Sequence, residues 1–156
     1  MTDAKESSSP LPDPGRLPHG PGFRFVTAVD KRQVSEDGAS QGTGRWELTG
    51  EESFFSDHFP QRPILPGVLL IESLAQFSGL IHFASVEGIG RPDVGIASVD
   101  VRLLRPVMPP ATLILQATSR ETAGPLTRFD VSASVDGKRV ARGSLHLTAS
   151  IQGEQS

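Results

Sequence analysis

His58 and Glu72 are the side chains of this chain best suited to move protons. They bracket the segment HFPQRPILPGVLLIE. His58 sits in a loop stiffened by Pro60, Pro63 and Pro66, and Glu72 stands one turn into an almost wholly apolar helix. An imidazole titrates near neutral pH, so it can take a proton and return it. A carboxyl set after Leu69, Leu70 and Ile71 is expensive to bury ionised, and burial favours the protonated form that a general acid needs. Each residue also has a plainer reading. His58 could cap its loop, and Glu72 could be a first-turn glutamate favoured by the helix dipole.

Other groups could complete such a site. Gly67, where loop becomes helix, could present its backbone N–H and the helix dipole to a developing oxyanion, or could simply follow Pro66 in a turn. Gln76 lies one turn beyond Glu72 on the same face, able to orient it, touch substrate, or bond to nearby backbone. Asp57 could pair with His58 or lie on the surface, and Ser53 and Ser56 form no serine-hydrolase elbow. His19, His82 and His146 are dispersed, with no compact metal-ligand spacing, and the glycines form neither a dinucleotide fingerprint nor a phosphate loop.

The helix that must position Glu72 is predicted from Val68 to about Ser85, because Leu70, Leu74, Phe77 and Ile81 recur three or four apart. Ile71 and Ala75 broaden this stripe, so the helix is expected inside the core rather than along one side of it. Six strands are expected around it. They are Phe23 to Val29, Gly44 to Thr49, Gly95 to Arg105, Thr112 to Arg120, Thr127 to Val135 and Arg139 to Thr148. Ser35 to Gly44 reads as a polar turn, and Asp136-Gly137 is a hairpin signal. One helix and six strands give an α+β domain, with a curved antiparallel sheet wrapped around a long central helix.

The chain has 156 residues, about one domain's worth, and the absence of cysteine excludes disulfides and thiolate chemistry. A net charge of -3 argues against a general nucleic-acid binder. No apolar run reaches membrane-spanning length and no signal-peptide core precedes the domain, so a cytoplasmic protein is expected. The expected organisation is a disordered, serine- and proline-rich leader over residues 1–17, one domain over 18–149, and a flexible tail over 150–156.

Taken together, these residues resemble the FabZ-type 3-hydroxyacyl-acyl-carrier-protein dehydratases of the hotdog superfamily. The resemblance is carried by Leu17-Pro18-His19, His58-Phe59-Pro60, Arg62-Pro63, Pro66-Gly67-Val68-Leu69, Glu72, Ala75-Gln76, Gly79 and Arg105-Pro106-Val107. It extends from about Leu17 to Leu147. It implies that His58 removes the α-proton of a 3-hydroxyacyl thioester, that Glu72 protonates the departing β-hydroxyl, and that the Gly67 N–H holds the thioester oxygen. It further implies a homodimer whose sites are shared across the interface, or a trimer of such dimers. No metal or nucleotide cofactor is implied. The substrate would arrive on the phosphopantetheine of acyl carrier protein, with Arg62, Arg102 and Arg105 as candidate carrier contacts. Phe59, Val68, Gln76 and Phe83 are the candidate substrate contacts.

The sequence departs from the family in three places. Asp57 stands where glycine is usual before the histidine, Gly20-Pro21-Gly22-Phe23 replaces the usual Arg-Tyr-Pro-Phe, and Pro110-Ala111 replaces a familiar Gly-Asp. Two other functions stay open at this point. A hotdog thioesterase would use Glu72 to activate water, and a non-catalytic acyl-binding protein would keep the pocket without turnover.

Overall fold

A computed structural model describes residues 11–83 and 92–151. Helix α1 (Gly67–Phe83) lies against a six-stranded sheet formed by β1 (Ala28–Val34), β2 (Ser40–Leu48), β3 (Pro92–Leu103), β4 (Ala111–Ala123), β5 (Leu126–Val135) and β6 (Lys138–Ile151). The strand order is β1-β2-β4-β5-β6-β3, and every neighbouring pair is antiparallel. This is a single α+β arrangement with one central helix.

Alternation in the strands builds the core. Leu113, Leu115 and Ala117 of β4 and Phe129, Val131 and Ala133 of β5 are buried beneath the helix, while their neighbours in sequence face the other side of the sheet. From α1 come Leu70, Leu74, Phe77, Leu80 and Ile81, with Ser73, Gln76 and Ser78 buried beside them. Burial round most of the helix, leaving the side of Val68, Glu72 and Gly79 part-exposed, accounts for the broad apolar stripe in its sequence. The last residues expected in that helix, Ala84 and Ser85, lie outside the described residues.

Two local departures from the sequence expectation have physical causes. The first strand is Ala28–Val34, not Phe23 to Val29. Ahead of it, Pro21–Phe23 form a 3-10 turn, and the backbone of Phe25 bonds to helix side chains instead of to a strand: its N–H donates to Gln76 Oε1 at 2.8 Å and its carbonyl accepts from Ser73 Oγ at 2.6 Å. The polar stretch expected to be a turn up to Gly44 already joins β2 at Ser40. Gly42 and Gly44 sit within that strand because the helix presses on them. A Cβ on Gly44 would lie 2.6 Å from Phe77 Cε2 and 2.5 Å from the Ala28 carbonyl oxygen.

The later elements follow the sequence closely. Asp136 and Gly137 both have positive φ, 51° and 77°, as a tight two-residue hairpin requires. Met108 to Ala111 forms the expected turn before β4, with a cis Pro109–Pro110 peptide. Near the N-terminal end of the described chain, Pro14–Arg16 make a 3-10 turn and Leu17 is buried in the core. Among the described residues strand β3 pairs only with β6 and its other edge has no strand partner; Ile96, Val99 and Leu103 of this strand are exposed. No helix among the described residues is long and apolar enough to cross a membrane.

Candidate active site

The proline-rich loop holds His58 by its own backbone. The His58 N–H donates to the Phe54 carbonyl at 3.1 Å, and the His58 carbonyl accepts from Ile64 N–H at 2.9 Å. Phe59 and Arg62 exchange two further bonds across the turn, and Leu65 N–H ties it to Val107 at 2.8 Å. The imidazole Nδ1 lies 2.8 Å from the Ile64 carbonyl oxygen. A carbonyl only accepts, so Nδ1 carries the hydrogen and Nε2 is left as the basic nitrogen of the neutral ring. Phe59, reached through a cis peptide, stacks on His58 with ring centroids 4.2 Å apart and remains half exposed. Asp57 is exposed and ends the short 3-10 helix Ser53–Ser56.

Glu72 is placed by the helix and by the segment that crosses its start. Gln76 is 3% exposed and fully engaged. Its Nε2 donates to Phe23 O at 3.0 Å and to Glu72 Oε1 at 3.1 Å, while its Oε1 accepts from Phe25. Gln76 thus bonds both to Glu72 and to nearby backbone, two of the three contacts open to it from sequence, substrate being the third. His19 Nε2 approaches the same Glu72 oxygen at 3.3 Å. His19 is held there by Arg24, whose Nε donates to its carbonyl at 2.8 Å, and by Phe23, which stacks on its ring at 5.8 Å.

Gly67 opens α1. The first intrahelical bonds start from Leu69 and Leu70, which donate to Pro66 O, so the amides of Gly67 and Val68 precede the helical ladder. A Cβ on Gly67 would lie 2.4 Å from Leu103 Cδ1, the tip of a half-exposed side chain that would have to swing aside. Val68 beside it is 73% exposed, the most exposed large apolar side chain among the described residues.

Not every candidate gathers here. No hydrogen bond or ion pair among the described residues joins His58 to Glu72. Phe83 lies at the opposite end of α1, about 16 Å along the axis from Glu72, where it meets His82 edge-on at 4.8 Å. Arg62 and Arg105 are exposed. Arg102 is on the sheet face turned away from α1, where it shares a groove of about 530 Å³ with Arg128, Arg139 and Arg142. Among the described residues no group of three or more His, Cys, Asp and Glu could hold a metal ion. His19 is the site residue that spacing missed. The contact joins segments far apart in sequence, and the only local signal was its place in Leu17-Pro18-His19.

The model of the FabA-like domain family matches residues 17–144. The chain is 37% identical over 129 residues to a 3-hydroxyacyl-[acyl-carrier-protein] dehydratase FabZ of Herpetosiphon aurantiacus, covering 83% of this chain and 89% of that relative. It is 42% identical over 134 residues to the FabZ of Escherichia coli, covering 83% and 84%. Among solved structures, a chain of the dehydratase heterocomplex ApeI:P from Xenorhabdus doucetiae superposes with a TM-score of 0.72 at 19% identity, covering 91% of this chain and 93% of that one.

Proposed function

The chain belongs to the FabA-like domain family, and from that premise we propose that it reversibly dehydrates a 3-hydroxyacyl thioester, carried on acyl carrier protein, to the trans-2-enoyl thioester. The observation that carries the reading in the geometry is the committed Nδ1 of His58, which leaves Nε2 free as a base. His58 Nε2 takes the α-proton of the substrate. Glu72 gives a proton to the β-hydroxyl, the C–O bond breaks, and water leaves as the double bond forms. The Gly67 N–H, at a helix start and ahead of the helical ladder, binds the thioester oxygen while enolate charge develops. Hydration of the enoyl thioester runs through the same groups in reverse.

On this reading the site is completed by a second copy of the chain. No hydrogen bond or ion pair among the described residues joins His58 to Glu72, and the β3 edge that has no strand partner among them, with its exposed Ile96, Val99 and Leu103, is a surface that a second β3 could extend. The sheet then curls about α1 as hotdog domains do, within one domain that takes in Leu17, beyond the expected start at residue 18, and all of β6, beyond the expected end at 149. Trimerisation of such dimers is compatible with the same edge. Phe59 and Val68, exposed beside His58 and Gly67, guide the acyl chain, and Gln76 acts on it through Glu72. Phe83 closes the far end of the acyl path. Arg62, Arg102 and Arg105 contact the acidic carrier. No resident cofactor takes part, the phosphopantetheine entering with the substrate, and a cytoplasmic location follows from that carrier.

The test is to incubate the purified chain with short 3-hydroxyacyl-carrier thioesters and follow products by mass. The expected product is lighter by one water, and His58→Ala or Glu72→Ala each lowers the rate by at least about 100-fold. Mixing the two inactive variants restores activity if the site is shared. Release of free thiol instead, or no conversion from either the hydroxyacyl or the enoyl side across chain lengths, would overturn the dehydratase.

A further inference from the structure

Two nitrogens converge on one oxygen of Glu72. Gln76 Nε2 is 3.1 Å and His19 Nε2 3.3 Å from Oε1, and no group among the described residues partners Oε2. A carboxylic acid carries its proton on one oxygen at a time, and an oxygen that already accepts from the Gln76 amide and lies against the His19 nitrogen is the worse place for it. We propose that His19 is a positioning residue that, together with Gln76, occupies Oε1 so that the proton given to the leaving hydroxyl resides on Oε2. This rests on the dehydratase reading and deepens it.

The second observation is on the far side of the imidazole. His19 Nδ1 is buried and has no hydrogen-bond partner. A bare lone pair there is tolerable, whereas an N–H buried without an acceptor would cost its full desolvation. The surroundings therefore accommodate the neutral ring with its hydrogen on Nε2, facing Glu72. An imidazolium in this place would hold Glu72 as a carboxylate, the wrong form for an acid. A neutral donor fixes the carboxyl's rotation without removing its proton. The ring is kept in place by contacts that do not titrate it, the Arg24 bond to its carbonyl and the stacked Phe23. Gln76 is locked in turn by Phe23 and Phe25, so the segment from His19 to Phe25 sets the orientation of the carboxyl as one unit.

The test joins spectroscopy to kinetics. Long-range proton–nitrogen correlation on the wild-type chain, with His19 assigned by its loss in His19→Gln, should show the Nε2–H tautomer, and Glu72→Ala should shift that signal. In turnover, His19→Leu should lower kcat roughly 10- to 100-fold with KM changed less than about twofold. Glutamine places an amide nitrogen near the position of the imidazole Nε2 and asparagine near that of Nδ1, so His19→Gln should restore most of kcat and His19→Asn should not. A Nδ1–H or doubly protonated His19, or a kcat indifferent to whether residue 19 can reach Glu72, overturns the proposal. If the wild-type chain proves inactive as a dehydratase, the functional reading falls, and the tautomer with its response to Glu72→Ala still decides the pairing.

Discussion

His82 shows how differently one residue type can be used in this chain. It is half buried near the end of α1, with Nδ1 2.7 Å from Ser40 Oγ and its ring edge-on to Phe129 at 5.3 Å. Desolvation, with a smaller contribution from the Arg32 guanidinium, holds its pKa below the ordinary 6.5. Arg32 itself is buried and donates to the Ile81 carbonyl at 2.6 Å, a cation at the negative end of the helix. A histidine whose folded form resists protonation stabilises the fold fully above its unfolded pKa and less as pH falls through 6.5, because the unfolded chain then binds the extra proton. The stability advantage of wild type over His82→Gln, measured by denaturant unfolding, should therefore shrink between pH 7 and pH 5. Of the four histidines, only the setting of His58 was legible in sequence, because the prolines that shape its loop and the helix that follows are contiguous with it. The contacts of His19 and His82 depend on chain segments that only the fold brings together.

At the level of elements, the strongest periodicities were the most legible. The burial stripe of α1 and the alternation of β4, β5 and β6 each encode a face directly. The first strand was misplaced because Phe23, Phe25 and Val26 look like strand residues, while their backbone is bonded by Ser73 and Gln76 of the helix. Apolar content says that such a segment is buried and not what it bonds to. The glycines of β2 misled in the opposite sense, reading as turn where they make room for Phe77 and Ile81. Gly44→Ala must push its new carbon into backbone as well as ring, so it should destabilise the fold by about 1–3 kcal/mol. Gly20→Ala meets nothing within 4 Å and serves as the control expected to leave the thermal midpoint unchanged.

For the whole molecule, the proposed dimer would use the β3 edge, which has no strand partner among the described residues, and would bring His58 of one chain to Glu72 of the other, so that each chain supplies half of each site. Only the family resemblance implies this arrangement; composition and periodicity are silent about it, since an edge strand and an interface strand alternate alike. The separation has a consequence in genetic terms. A chain carrying both His58→Ala and Glu72→Ala silences both sites of any dimer it joins, so an equal dose co-expressed with wild type should cut total activity to about half. A chain carrying only one of these changes leaves one complete site in each mixed dimer and should cut it hardly at all. The double variant is then dominant and each single variant recessive, although the double change touches no residue that the single changes do not.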